Sequence, residues 1–293
     1  MEPISNTDLI LNPDGSIYHL HLLPEDIADT IILVGDPGRV GQVSVHFDTI
    51  EIKKENREFV THTGSYRGKA ITVLSTGIGT DNIDIVLNEL DALVNVDLLH
   101  RTVKSGHRPL RLIRLGTSGA LHPDIPGGAT IVSLVAGGFD GVYHFYRDDL
   151  QVTVPGLSEA FMAHTRWKES LSHPYFISGS HSLINLFDNQ EHQSGITLST
   201  PGFYAPQVRG IRLPPADDQL IGKIATFQFK EMRINNFEME CSALYALSSM
   251  LGHEAITMCV AIANRITGLF LEDYRPHVDR LIGMVLDKLT EYE

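Results

Sequence analysis

Short apolar runs separated by glycine-bearing turns set the pattern of this chain. Thr30–Val34, TIILV, is a continuous β-branched run and reads as a strand buried on both faces. Residues 60–66 alternate loosely, as an antiparallel strand does. Residues 70–75, 110–115, 129–134 and 258–263 continue the series, and Tyr175–Ser178 adds another strand. Between the strands the period changes. Ile83, Val86, Leu87, Leu90, Leu93 and Val94 recur at helical spacing, with Asp81 or Asn82 as the cap. Ala243, Leu244, Leu247 and Leu251 do the same ahead of a Gly252 stop. Val278, Leu281, Ile282, Val285, Leu286 and Leu289 mark a C-terminal helix. Strands alternating with helices predict one α/β domain over residues 19–293. Residues 1–18 are polar and turn-rich and read as an N-terminal arm. Residues 100–109 are basic and read as a surface insertion, and 137–165 follow no clean period.

Charge and cysteine usage narrow the class. A net charge of −13 excludes a general nucleic-acid binder, because phosphate backbones need a basic surface. It leaves room for a small anion held by a few local arginines. The two cysteines, Cys241 and Cys259, stand in apolar company and read as buried free thiols of a reducing compartment. The N-terminus lacks a signal-peptide pattern, and no apolar run reaches the roughly 20 residues a membrane span needs. The expected location is cytoplasmic, with no membrane or nucleic-acid partner.

Candidate chemistry falls at the ends of these elements. Glu238 and Glu240 stand two apart around Met239, just before a helix. In an extended segment both acids point one way and Met239 the other. A fixed carboxylate accepts hydrogen bonds from vicinal hydroxyls, so the pair suits a sugar. The alternative is two solvated glutamates on a strand edge. Gly35-Asp36-Pro37-Gly38-Arg39 closes the first strand with a tight turn. Its amides can approach an anion, and Arg39 adds a forked donor; the alternative is an ordinary strand–helix turn. It lacks the spacing of a P-loop or a dinucleotide fingerprint, so neither a nucleoside triphosphate nor NAD is expected. Arg114 runs into Gly116-Thr117-Ser118-Gly119-Ala120, small residues at the carboxyl end of a strand and so well placed to hold a ligand; the alternative is a tight turn, with Arg114 as a structural salt-bridge partner. The loop at 200–210 combines Phe203 and Tyr204 with Gln207 and Arg209. A planar amide plus donors beside an aromatic face matches an imide edge such as uracil; the alternative is a surface loop of rigid aromatics. His19 and His21, taken alone, read as surface residues. Metal-ligand spacings are absent, so no metal is expected.

Five motifs occur in one order: Gly-Asp-Pro-Gly-Arg at 35–39, Asn-Arg-Glu-Phe at 56–59, Ser-Thr-Gly-Ile-Gly at 75–79, Arg-Leu-Gly-Thr-Ser-Gly-Ala at 114–120 and Phe-Glu-Met-Glu at 237–240. From about His19 to the C-terminal helix, the chain thereby resembles the nucleoside phosphorylase-I family, and within it the uridine phosphorylases. The resemblance implies a single α/β domain around a mixed, distorted, partly barrel-like sheet flanked by helices. It implies reversible phosphorolysis of a nucleoside to free base and ribose 1-phosphate, with inorganic phosphate as co-substrate and no cofactor. Gly35, Arg39, Arg114 and Thr117 would bind phosphate. Arg57 would reach the phosphate of a neighbouring subunit, and His19 a neighbour's ribose hydroxyl. Met239 and Glu240 would hold the ribose, with Glu238 beside them. Gln207 and Arg209 match the uracil-reading Gln-x-Arg, with Phe203 placed for stacking and Ser118, Gly119 and Ile262 completing the base pocket. Arg265 would brace Gln207. Arg114, Gln207, Arg209 and Arg265 form the expected catalytic set.

Ala263-Asn264 stands where purine-specific relatives carry the Ser-Asp pair whose Asp works on the purine N7. Gly79-Thr80-Asp81-Asn82 replaces a Gly-Pro-Ser-type stretch; some uridine phosphorylases use its serine, with a glutamate like Glu58, to hold a monovalent cation between subunits. Shared active sites imply a homo-oligomer, a dimer or a trimer of dimers. The rival readings are a purine or broad-specificity phosphorylase, a nucleosidase, and an inactive nucleobase-binding protein.

Overall fold

The computed structural model describes residues 3–189 and 191–291. The strands are β1 Thr30–Val34, β2 Thr49–Asn56, β3 Phe59–Tyr66, β4 Lys69–Ser75, β5 Val96–Asp97, β6 Thr102–Val103, β7 Arg111–Ala120, β8 Thr130–Gly138, β9 Tyr175–Ser178, β10 Gln193–Ser199, β11 Gln228–Phe229, β12 Met232–Glu238 and β13 Glu254–Asn264. The helices are α1 Pro37–Ser44, α2 Thr80–Asn95, α3 Leu157–Thr165, α4 His181–Phe187, α5 Leu220–Ala225, α6 Cys241–Leu251 and α7 Arg275–Glu291.

One mixed sheet runs β11-β12-β10-β8-β13-β7-β1-β4-β3-β2. An additional pairing of β12 with β7 closes β7, β13, β8, β10 and β12 into a ring, from which β1, β4, β3 and β2 extend as an open wing. The fold is thus a single α/β domain around a partly closed sheet. Closure removes edges that would otherwise recruit other strands. β7 is the shared member. Residues 111–115 pair with β1, and Gly119 and Ala120 pair with β12. Its other edge follows β13 over its whole length. Helices cover both faces. Val86, Leu87 and Leu90 of α2 share a buried cluster with Leu244 and Leu247 of α6. Val40 of α1, Leu183 of α4 and Leu281, Val285 and Leu286 of α7 fill another. A third, aromatic cluster gathers Phe161, Phe176, Phe227 and Phe237 under α3 and α5.

Several expectations change. Residues 116–120 are strand rather than turn: they complete β7 and remain paired with β13 through Asn264. α2 is capped by Gly79, at φ 101, rather than by Asp81 or Asn82. Residues 35–39 are a helix entry, with the Asp36 carboxylate accepting from the Gly38 N–H and proline in the first turn of α1. The expected arm is docked. Leu9 and Ile17 are buried in the α2/α6 core, and Leu11 bridges to Ile17. Arg101, from the basic stretch, fastens this segment by donating to the carbonyls of Ile4 at 2.9 Å, Ser5 at 2.7 Å and Leu9. Residues 1 and 2 lie outside the described residues. Among the described residues, no helix is long and apolar enough to cross a membrane.

Candidate active site

A cavity of about 840 Å³ opens where the carboxyl ends of β1, β7, β12 and β13 meet. β7 runs along it. Arg114 lies at one end of this stretch and Gly119 five residues further on, roughly 16 Å away at strand rise.

The first end gathers Gly35, Arg39, Arg114 and Thr117. Arg39 projects from the first turn of α1 and is only 8% exposed. Among the described residues its side chain makes one hydrogen bond, Nη1 to the Leu115 carbonyl, long at 3.4 Å. Among the described residues no carboxylate forms an ion pair with it. Burial lowers its pKa; Asp36 opposes that shift and Arg114 adds to it. Arg114 is the reverse case. Burial pulls its pKa down, but Glu240 and Glu238 outweigh that and raise it. Its Nη1 is 3.1 Å from Glu238 Oε2, its Nη2 bonds Glu240 Oε2, and its buried Nε has no partner. Gly116 makes this arrangement possible, because a Cβ there would lie 2.5 Å from Arg114 Nη1.

The two glutamates face the same cavity and differ in what they have left to offer. Glu238 accepts from the Ser199 hydroxyl, the Glu240 N–H at 2.9 Å and the Cys241 N–H at 2.9 Å, besides pairing with Arg114. It therefore caps the start of α6. Burial pushes its carboxyl up to about 7 despite Arg114. Glu240 accepts from the Gly79 N–H at 2.7 Å and from Arg114, which leaves acceptor capacity on both oxygens. Strand alternation alone points Met239 away from the two acids, and the resemblance puts it beside the ribose; it lines the cavity with them. The chain leaves the extended conformation at Glu240, with φ −136 and ψ −28, so strict alternation no longer holds. Cys241 and Cys259 are free and buried, and burial raises both thiols, Cys259 to about 12.

The far end holds Ser118, Gly119, Phe203, Gln207, Arg209, Ile262 and Arg265. Gln207 is buried. Its Nε2 donates to Thr200 Oγ1 at 2.9 Å, and its Oε1 accepts from Arg209 Nη1. Arg209 also donates to the Phe203 carbonyl at 2.9 Å, and its guanidinium lies 3.9 Å over the Phe203 ring. One face of the aromatic expected to stack on a base is thus already covered by the arginine. Burial, and then Arg265, lower Arg209 to about 10. Arg265 Nη1 donates to the Gln207 carbonyl at 2.8 Å and fixes the loop. Val208, between Gln207 and Arg209, sits at φ 57, a strained position for a β-branched residue. Ser118 Oγ is buried without a partner. Asn264 is fully engaged. Its Nδ2 donates to the His122 and Ile125 carbonyls at 2.7 and 3.0 Å, and its Oδ1 accepts from the Ile266 and Thr267 N–H groups.

Two expected residues lie elsewhere. His19 and Arg57 do not line this cavity but share a surface patch. The Arg57 guanidinium lies 5.5 Å from the Tyr18 ring centre, and Asn56 Nδ2 donates to the His19 carbonyl at 2.7 Å. Other lining residues were named from the sequence outside the phosphate, ribose and base sets, or not at all. Asn82 and Glu58 meet in the cavity wall, with Nδ2 donating to Oε1 at 3.3 Å. Leu269 and Phe270 line it while largely exposed; an apolar pair in the loop after the last strand is the signal that could have marked them. Asp91, His107 and His253 also come together, away from this cavity. There His253 Nδ1 accepts from the Leu110 N–H, so its Nε2 carries the ring proton, 3.2 Å from Asp91, and has no lone pair for an ion.

The match to known proteins agrees with this geometry. Residues 29–282 match the family described as the phosphorylase superfamily. A uridine phosphorylase of Thermococcus kodakarensis is 32% identical over 88% of this chain and 80% of its own. A DeoD-type purine nucleoside phosphorylase of Alkaliphilus metalliredigens is 27% identical over 85% of this chain and 88% of its own. The crystal structure of a Trypanosoma brucei nucleoside phosphorylase, described as showing uridine phosphorylase activity, superposes with a TM-score of 0.85 at 28% identity, covering 97% of this chain and 100% of that one. On the breadth of that match, and with the closed ring and its cavity in place, the chain belongs to the phosphorylase superfamily.

Proposed function

We propose that the chain is a uridine phosphorylase, a pentosyltransferase that converts uridine and inorganic phosphate reversibly into uracil and ribose 1-phosphate. The observation that carries this reading is the sequence of chemistries along one cavity. A buried cation that forms no ion pair among the described residues is followed by a carboxylate with free acceptor capacity, and then by a Gln–Arg pair.

Phosphate binds between the Gly35 backbone, Arg39, Thr117 and the unpartnered Nε of Arg114. Glu240 accepts the vicinal ribose hydroxyls beside Met239. Glu238 holds Glu240 and Arg114 in place rather than taking the sugar itself. Gln207 and Arg209 exchange their mutual hydrogen bond for bonds to the uracil imide, with Ser118, Gly119, Phe203 and Ile262 around the ring and Arg265 holding the loop. In the reaction the C1′–N1 bond breaks and its electron pair leaves with uracil. A phosphate oxygen forms the new bond to C1′ from the opposite face. Arginines that orient the anion keep water from taking its place. Arg209 stabilises the charge gathering on the leaving base; one such donor contributes on the order of 3 kcal/mol. The reaction needs no resident cofactor. In a homo-oligomer, His19 and Arg57 reach a neighbouring subunit's cavity.

A purine substrate asks for a carboxylate at N7, and the amide of Asn264 has no free group to take that part. Incubating the protein with uridine, with and without phosphate, and following uracil release by ultraviolet absorbance tests the proposal. Phosphate-dependent release supports it. Release without phosphate makes the protein a nucleosidase. Turnover of inosine and not uridine overturns the reading of the base pocket.

A further inference from the structure

Glu89 lies on α2, outside the cavity, with its carboxylate turned onto the segment that carries His19. Both oxygens accept from the His19 N–H, at 3.0 Å each, and Oε2 accepts from the Leu20 N–H at 2.8 Å. Oε1 is also 2.6 Å from His19 Nδ1. A carboxylate surrounded by backbone donors acts as an acceptor, so the ring contact is Nδ1–H donating to Glu89. A neutral imidazole carries one such hydrogen. Nε2 is then a lone-pair acceptor. The His19 side chain is 27% exposed and that of Glu89 13%. The Tyr18 ring braces the imidazole edge-on at 4.8 Å.

We propose that Glu89 is a positioning residue: it fixes the His19 tautomer so that Nε2 presents an acceptor to a hydroxyl of the nucleoside bound in a neighbouring subunit. This rests on the reading above that His19 serves a neighbour's ribose. The chemistry of the site supports a hydroxyl. An acceptor nitrogen cannot bond the unprotonated oxygens that carry the charge of a phosphate, whereas every sugar hydroxyl can donate. With Glu240 facing the vicinal pair, the hydroxyl left for His19 is the 5′ one.

Glu89→Gln separates this role from simple anchoring. Its amide oxygen can still accept from the backbone, but its NH₂ donates to Nδ1 and forces the proton onto Nε2. The measurements are ¹⁵N chemical shifts of the His19 ring and steady-state kinetics with uridine and 5′-deoxyuridine. The expected result is Nδ1–H in the wild type and Nε2–H in E89Q. The KM for uridine rises about tenfold in E89Q, kcat stays close to wild type, and the KM for 5′-deoxyuridine does not change. His19→Ala raises the uridine KM similarly, and the double variant adds nothing further. An unchanged tautomer in E89Q, or an equal rise in KM for both substrates, overturns the role of Glu89 while leaving that of His19 standing. A wild-type uridine KM in H19A overturns the ribose contact itself.

Discussion

Arg39→Met separates stability from function at the proposed anion end of the cavity. Methionine keeps an unbranched apolar stem without the charge, and the guanidinium is buried with one long hydrogen bond and a like charge, Arg114, nearby. Burying a charge costs several kcal/mol unless it is paired, so the neutral variant recovers a fraction of that, on the order of 1 kcal/mol, without phosphate. For 293 residues, an unfolding entropy of about 2.1 cal/mol/K per residue makes 1 kcal/mol worth about 1.6 °C in Tm. Phosphate at about a hundred times its Kd adds roughly 2.7 kcal/mol to the wild type, a rise of about 4 °C. The expected pattern in scanning calorimetry is therefore crossed. Without phosphate the variant melts about 1–2 °C above the wild type; with saturating phosphate it stays put while the wild type overtakes it. Uracil release should show kcat/KM for phosphate reduced by about 10²–10³-fold, the loss of one charge-stabilising donor. A full phosphate-induced shift in the variant, or a variant less stable than the wild type without phosphate, would refute the placement of the anion against Arg39.

Other perturbations test neighbouring parts of the structure. Gly116→Ala places a methyl 2.5 Å from Arg114 Nη1 and 3.1 Å from Cys259 Sγ, displacing the guanidinium; kcat should fall about 10²-fold with little change in secondary structure by circular dichroism. Val208→Asn relieves the φ 57 strain and should raise stability by about 1 kcal/mol in denaturant titration. Glu238 has a folded-state pKa of about 7, above its ordinary 4.5. Its contribution to stability is full below about pH 4.5 and is lost as pH rises to about 7, so Glu238→Gln should flatten the Tm–pH profile across that window. Arg101→Ala removes the fastening of residues 4–9; limited proteolysis ahead of His19 should speed up by about tenfold if local opening becomes easier by about 1.4 kcal/mol.

The strands were the most legible part of the fold. β1 and β9 coincide with the apolar runs because both are short, continuous and bounded by turn residues. The end of β7 was hidden, since Gly116, Thr117, Ser118 and Gly119 have the composition of a turn. Small side chains there leave room for Arg114 and for the cavity, a reason that lies in the third dimension. Arg101 looked like solvated charge because its acceptors are carbonyls more than ninety positions away. Within the cavity, the motifs named Glu238 and Glu240 together. Only the folded chain separates them, because the donors that occupy Glu238 come from Ser199, Glu240 and Cys241.

The ring closed by β7 and β12 also bears on how such a protein changes over generations. Arg114, Thr117, Ser118 and Gly119 belong to a strand locked between neighbours on both edges, so substitutions there disturb the whole sheet. Phe203, Gln207, Arg209, Leu269 and Phe270 stand on connecting segments that can drift while that framework holds. On the proposed assignment, selection can retune the loop contacts to the base with less disturbance to the strand that carries Arg114 and Thr117. One scaffold can host uridine and purine phosphorylases at comparable distances from this chain, 32% and 27% identity.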